Sequence, residues 1–213
     1  MNAEATRDGP VAEAIRRHRL IAVLRRVEPR TALLDIVGEL AEAGVRVFEI
    51  TLDAASGAKD LAAVRSHLAT VPDVVIGAGT ILSSEQLREA IQVRADFGVS
   101  PLFDRGLTTA ALDAGLPFIP GAMTPAEIAV AWAAGATFVK LFPASALGPT
   151  FVRELRGPLP GVALIPTGGI DGGNAAAFLS AGAAAVGIGS ALVRADAAAR
   201  RELVRSVVSE PDA

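Results

Sequence analysis

The chain offers very few groups able to attack a carbon, abstract a proton or coordinate a metal. Its 213 residues contain no cysteine and no tyrosine, two histidines (His18 and His67) and two lysines (Lys59 and Lys140). Disulfides, thiolate nucleophiles, iron–sulfur clusters, most structural zinc sites and phenol acids are thereby excluded. One combination of residue types is left with chemical content. Glu49 lies in the apolar run Arg46–Leu52 and Lys140 in the run Phe138–Phe142. Alternation along an extended strand puts Phe48, Ile50 and Leu52 on one face and turns Val47, Glu49 and Thr51 to the other. The same parity sets Val139 and Leu141 against Phe138, Lys140 and Phe142. A lysine between phenylalanines in apolar surroundings has its ammonium form disfavoured. The neutral amine can attack a ketone and form a Schiff base. A glutamate facing it would serve as general acid and base. Arg25, in phase with Ile21 and Val23 at the end of another apolar run, suits a carboxylate or a phosphate. Alternatively, Glu49 and Lys140 form a buried structural ion pair, which adds little net stability once desolvation is counted, and Arg25 is a solvated rim charge.

The elements that must position these groups follow from the pattern of the whole chain. Eight short apolar runs read as strands: Leu20–Leu24, Arg46–Leu52, Val74–Ile76, Asp96–Val99, Pro117–Ile119, Phe138–Phe142, Ala163–Pro166 and Val186–Ile188. Helical patterns such as Arg30–Ala43 and Ser83–Gln92 separate them, the second with Gln86 three residues past a capping Ser83. Ala43-Gly44, Ala114-Gly115, Ala134-Gly135 and Ala181-Gly182 fit left-handed helix stops ahead of the next strand. Strand and helix alternating eight times predict a (β/α)₈ TIM barrel of near-minimal length, one α/β domain over residues 1–213. A doubly wound open sheet would carry a dinucleotide fingerprint in its first turn, and Leu24-Arg25-Arg26-Val27 is unlike one.

Barrel geometry directs attention to the C-terminal ends of the strands. His18 and His67 fall at the opposite end as solvated structure, and Lys59 sits in a polar helix start. Glu49 and Lys140, on the second and sixth strands of an eight-strand ring, project toward each other across the interior. Three glycine-bearing segments complete the rim: Gly77-Ala78-Gly79-Thr80 after the third strand, Thr167-Gly168-Gly169-Ile170 after the seventh and Gly187-Ile188-Gly189-Ser190 at the eighth. Glycines after strands seven and eight are where this barrel commonly cradles phosphate.

A net charge of −3 with 4% aromatic residues lacks the basic stripe and stacking platforms of a nucleic-acid binder. The mean hydropathy of +0.44 owes much to alanine, and the long uncharged stretch Gly172–Val193 is too rich in glycine, asparagine and serine to read as a membrane span. The polar, mixed-charge start MNAEATRDGP has no apolar signal core, so the chain is expected in the cytoplasm.

Glu49 within Gly44–Leu52, Gly77-Ala78-Gly79-Thr80, Ser100-Pro101, Ile119-Pro120-Gly121, Lys140-Leu141-Phe142-Pro143 and Pro166-Thr167-Gly168-Gly169-Ile170 together resemble the 2-keto-3-deoxy-6-phosphogluconate (KDPG) and 4-hydroxy-2-oxoglutarate (KHG) aldolase family, from Leu20 to Val193 in order. The resemblance implies a class I aldolase needing neither metal nor cofactor, in which Lys140 forms the Schiff base with pyruvate and Glu49 moves protons. Arg25 and Thr80 would hold the pyruvyl carboxylate end, and Pro101 and Phe142 would line the pocket. Thr167 would face the sugar hydroxyls, with Gly168, Gly169, Gly189 and Ser190 taking the phosphate of a 2-keto-3-deoxy sugar acid. It also implies a homotrimer and an Entner–Doudoroff-type reaction releasing pyruvate and glyceraldehyde 3-phosphate, with 4-hydroxy-2-oxoglutarate as a further substrate. Features of two branches meet here. Gluconate-type members commonly carry Arg-Thr where this chain has Asp53-Ala54. The galactonate branch lacks that arginine too and has a stretch resembling Phe142–Pro149, whereas Thr167 matches the gluconate type. Two other functions remain open on the residues: a phosphosugar isomerase or epimerase using Glu49 as base and Lys140 as a non-covalent electrostatic catalyst, and a non-catalytic phosphosugar-binding protein.

Overall fold

Each apolar run becomes a strand, and every pairing between strands is parallel. The structure is a computed structural model and describes residues 6–208; the start of the polar N-terminal segment and residues 209–213 lie outside the described residues. The strands are β1 Leu20–Leu24, β2 Val47–Thr51, β3 Val75–Gly79, β4 Gly98–Val99, β5 Phe118–Ile119, β6 Gly121–Ala122, β7 Val139–Leu141, β8 Leu164–Pro166 and β9 Val186–Ile188. The helices are α1 Pro10–His18, α2 Arg30–Glu42, α3 Gly57–His67, α4 Ser84–Gln92, α5 Arg105–Asp113, α6 Pro125–Ala133, α7 Gly148–Leu155, α8 Ala175–Ser180, α9 Ser190–Arg194 and α10 Ala197–Val208. The fold is therefore the expected α/β alternation. Its strands form two parallel sheets, in the orders β5-β4-β3-β2-β1-β9 and β6-β7-β8. The fifth expected strand, Pro117–Ile119, is found as β5, and β6, not expected, follows it after Pro120, which has no N–H to give a ladder.

The two faces of the curled sheets bury separate apolar clusters. Leu20, Ala22, Leu24, Phe48, Ile50, Val139 and Leu141 pack outward among the helices, whereas Ile21, Val23, Val47, Phe97, Val99, Ile119, Phe138 and Ile165 form an inner cluster. The parity read from the sequence thus holds on β1, β2 and β7. Ala12 and Ile15 of α1 are fully buried in that inner cluster, so a short amphipathic helix, not anticipated from the sequence, stoppers the interior where the strands begin.

Helix ends follow their residues. Ser83 accepts from the Gln86 amide at 3.2 Å, and Gly44, Gly115, Gly135 and Gly182 all close helices at positive φ, where a Cβ would be strained. The third strand differs from expectation. Gly77, Ala78 and Gly79, expected as a turn after it, pair with Glu49, Ile50 and Thr51 of β2 as part of the strand. Their small size hid the strand pattern and has a packing cause: a Cβ at Gly77 would collide with the Phe97 ring and one at Gly79 with the Glu49 carboxylate. Among the described residues, no helix is long and apolar enough to cross a membrane.

Candidate active site

Two neighbouring strands and one distant strand build the centre of the site. Val23 of β1 stands opposite Glu49 of β2, and Lys140 of β7 enters from the second sheet. Lys140 Nζ comes to 3.4 Å from Glu49 Oε1, with the two side chains 8% and 3% exposed. Two opposite charges so deeply buried are a net liability for folding, because their attraction rarely repays their lost hydration. The ammonium also lies 5.7 Å from the Phe142 ring centroid. The tight fit of Gly79 against Glu49 fixes where the carboxylate can sit.

Around this pair opens a cavity of about 530 Å³, the size of a small-molecule site. All eleven residues singled out in the sequence line it: Arg25, Glu49, Thr80, Pro101, Lys140, Phe142, Thr167, Gly168, Gly169, Gly189 and Ser190. Thr80 adopts φ +57°, a left-handed conformation that is a true outlier for a β-branched residue and one that folds retain mainly at functional sites. Thr167, buried at 7% exposure, bridges to Gly187. A Cβ at Gly187 would strike the Thr167 side chain. The carbonyl of Gly168 accepts from Ser145 N at 3.0 Å and that of Gly169 from Asn174 Nδ2 at 2.9 Å. Among the described residues no hydrogen bond occupies the N–H groups of these two glycines, which suits them to an anion.

Arg25 differs most from expectation. It is held by Asp53, whose Oδ2 accepts from Arg25 Nε at 2.8 Å and lies in ion-pair contact with Nη2, also at 2.8 Å. Arg26 Nε reaches the same oxygen at 3.1 Å. Burial works to raise the Asp53 carboxyl, but the neighbouring Thr51 hydroxyl and the two guanidinium groups outweigh it and hold the group below its ordinary value. Thr51 Oγ1 and Asp53 Oδ1 are nonetheless buried without a hydrogen-bond partner.

The residues set aside in the sequence stay away from the cavity. Lys59 and His67 are exposed. His18 is half-buried rather than solvated; burial, followed by Arg17 and Arg46, lowers its pKa against a smaller opposing pull from Asp73. Sequence reasoning missed one charged lining residue, Arg194. It stands four residues after Ser190 on α9, the spacing that stacks side chains on one helix face. That periodicity was its only sequence signal.

Comparison with known proteins follows the same lines. The family model for KDPG and KHG aldolase matches residues 11–207. A 2-dehydro-3-deoxy-phosphogluconate aldolase of Treponema pallidum (strain Nichols) is 38% identical over 80% of this chain and 80% of its own. The 2-dehydro-3-deoxy-6-phosphogalactonate aldolase of Escherichia coli (strain K12) is 34% identical over 85% of this chain and 88% of its own. Among solved structures, the KDPG aldolase from Legionella pneumophila, with pyruvate captured as a covalent carbinolamine intermediate, superposes with a TM-score of 0.82 at 29% identity, covering 94% of this chain and 98% of that one.

Proposed function

The chain belongs to the KDPG and KHG aldolase family, and on that premise we propose that it cleaves 2-keto-3-deoxy-6-phosphogluconate to pyruvate and glyceraldehyde 3-phosphate through a Schiff base on Lys140. The observation that carries this is the buried amine 3.4 Å from a buried carboxylate at the centre of the cavity. Lys140 passes a proton to Glu49, its freed Nζ attacks the C2 carbonyl carbon, and a second proton moves from nitrogen to oxygen to complete a carbinolamine. Glu49 gives a proton to the departing hydroxyl, which leaves as water, and an iminium results. The electron pair of the C3–C4 bond then flows toward the iminium nitrogen while Glu49, through a bridging water, takes the C4 hydroxyl proton. Glyceraldehyde 3-phosphate departs and an enamine remains. Protonation at C3 and hydrolysis of the C=N bond return Lys140 and release pyruvate. Holding both substrate ends is worth about 7–11 kcal/mol in reactions of this kind.

In this scheme Arg25 and Thr80 hold the carboxylate end and Pro101 and Phe142 flank the pyruvyl group. Thr167 meets the sugar hydroxyls, and Gly168, Gly169, Gly189 and Ser190 receive the phosphate. Arg194, with no ion pair or hydrogen bond among the described residues, adds positive charge on the same wall. Closure of the two sheets into one eight-stranded barrel fits this assignment. It is supported by the Thr167–Gly187 bridge, the Ala184 N to Leu164 O bond of 2.9 Å and the Pro120-only gap between β5 and β6. A homotrimer is supported by exposed Leu82, Leu102 and Met123, at 49%, 50% and 37%, on loops after neighbouring strands.

The test is reduction with borohydride in the presence of pyruvate. A stable pyruvyl adduct should appear on Lys140 and be lost in Lys140→Met. An unmodified lysine would sink the covalent mechanism and leave a non-covalent isomerase-type role. Coupled assays for pyruvate release on the gluconate and galactonate epimers should favour the gluconate one; equal rates would remove Thr167 as the determinant of C4 preference.

A further inference from the structure

We propose that Asp53 is a positioning residue, a buried carboxylate that fixes the Arg25 guanidinium at the mouth of the pocket and so sets where the substrate carboxylate docks. The proposal rests on Arg25 as the partner of that carboxylate. Strand register brings the two together: Val23 pairs with Glu49, so Arg25, two residues on, emerges beside Thr51, and Asp53 continues the inward series of Glu49 and Thr51 one step higher. Asp53 does not line the cavity itself. It acts through Arg25, which does.

The asymmetry of burial shows which partner is the anchor. The Asp53 side chain is 9% exposed, whereas Arg25 and Arg26 are 58% and 61% exposed. A long exposed arginine would otherwise sample many rotamers. Here Nε and Nη2 close side-on upon one fixed oxygen. A guanidinium carries five N–H donors in a rigid fork, so the end-on edge bearing Nη1 is left for a second carboxylate. Charge is arranged to keep that edge attractive. Arg26 takes the left-handed conformation at φ +49°, reaches the same oxygen through Nε at 3.1 Å, and donates from Nη2 to the Asp53 carbonyl at 3.0 Å. Two guanidinium groups on one carboxylate leave the cluster with net positive charge. A single Arg25–Asp53 pair would have been neutral. Held below the ordinary carboxyl range by its surroundings, Asp53 remains an anion throughout the neutral range.

Asp53→Asn, which keeps the shape and one oxygen, tests this beside Arg25→Met. In the condensation direction Asp53→Asn should raise KM for pyruvate about five- to tenfold with kcat within about twofold, the pattern of weakened ground-state docking. Arg25→Met should raise it further. In ¹⁵N spectra the Arg25 Nε–H should be resolved in the parent protein and lost to solvent exchange in Asp53→Asn. Absence of that signal in the parent overturns the clamp without reference to any variant. An unchanged or lowered KM in Asp53→Asn, while Arg25→Met still raises it, overturns the positioning role alone; a lowered value would mean that Asp53 merely quenches Arg25. No change in Arg25→Met removes Arg25 as carboxylate partner, and the present proposal with it.

Discussion

Replacing Gly79 by alanine should disable Glu49 without altering any reacting group. A Cβ built on Gly79 would lie 2.6 Å from Glu49 Cγ and 2.7 Å from Cδ, where ordinary contact begins at 3.4 Å. Because the strand backbone is clamped by ladder bonds on both sides, the side chain must yield, by about 0.8 Å at Cγ and by more at Oε1, which lies nearer still to the added methyl. Such a shift takes the carboxylate out of reach of Lys140, from which it is now 3.4 Å away. Misplacing a catalytic group by about 1 Å costs on the order of a hundredfold in rate, and overpacking a filled interior costs about 1–3 kcal/mol in stability. For a chain of this length that lowers the melting temperature by a few degrees. The assay is pyruvate release coupled to lactate dehydrogenase, with thermal melts followed by circular dichroism. Gly161→Ala, where an added methyl meets nothing within 4 Å, is the control and should be neutral in both. Full activity in Gly79→Ala with a folded protein would refute the claim that this glycine exists to seat Glu49. Equal loss in the control would refute the packing logic behind it.

Two shorter predictions concern backbone strain and pH. Thr80→Gly relieves a left-handed conformation at φ +57° that costs a β-branched residue about 1–3 kcal/mol. The variant should melt at or above the parent temperature while its KM for pyruvate rises; a fall of several degrees would mean that the threonine stabilises its loop instead. His18 has its pKa lowered from 6.5, first by burial and then by Arg17 and Arg46. The folded chain therefore resists a proton that the unfolded chain accepts, so stability is full above about pH 6.5 and declines as pH falls below it toward the lowered folded value. Urea melts across that interval should show the decline, and His18→Gln should flatten it. An unchanged slope would assign the acid sensitivity elsewhere.

Much of the site was legible because strand parity is a short-range rule. Phe48, Ile50 and Leu52 demand one face, and Glu49 has only the other; Lys140 follows from Val139 and Leu141 in the same way. The end of β3 was not legible, since Gly77 and Gly79 carry no side chain to show a period, and the reason for their size lies in Phe97 and Glu49 on neighbouring strands. Nor was the plug α1. Its nine residues are amphipathic, but nothing in them says that Ala12 and Ile15 enter the same inner cluster as Phe138. Asp53 was visible as an acid where a base was expected, yet its grip on Arg25 and Arg26 depends on strand register and on a left-handed turn at Arg26. His18 was misplaced in degree, because partial burial at a strand entrance comes from packing that sequence periodicity does not report.

The pairing of β1 with β9, Leu20 against Val186, has a consequence for synthesis on the ribosome. One edge of the first strand has its partner 166 residues downstream. At roughly 5–20 residues per second, that edge waits about 8–33 s for its partner to be made. Its free N–H and C=O groups are meanwhile a template for pairing with other chains. Stalled translation anywhere between Leu20 and Val186 would prolong that interval, so the yield of native protein should depend on how quickly that stretch of the message is read.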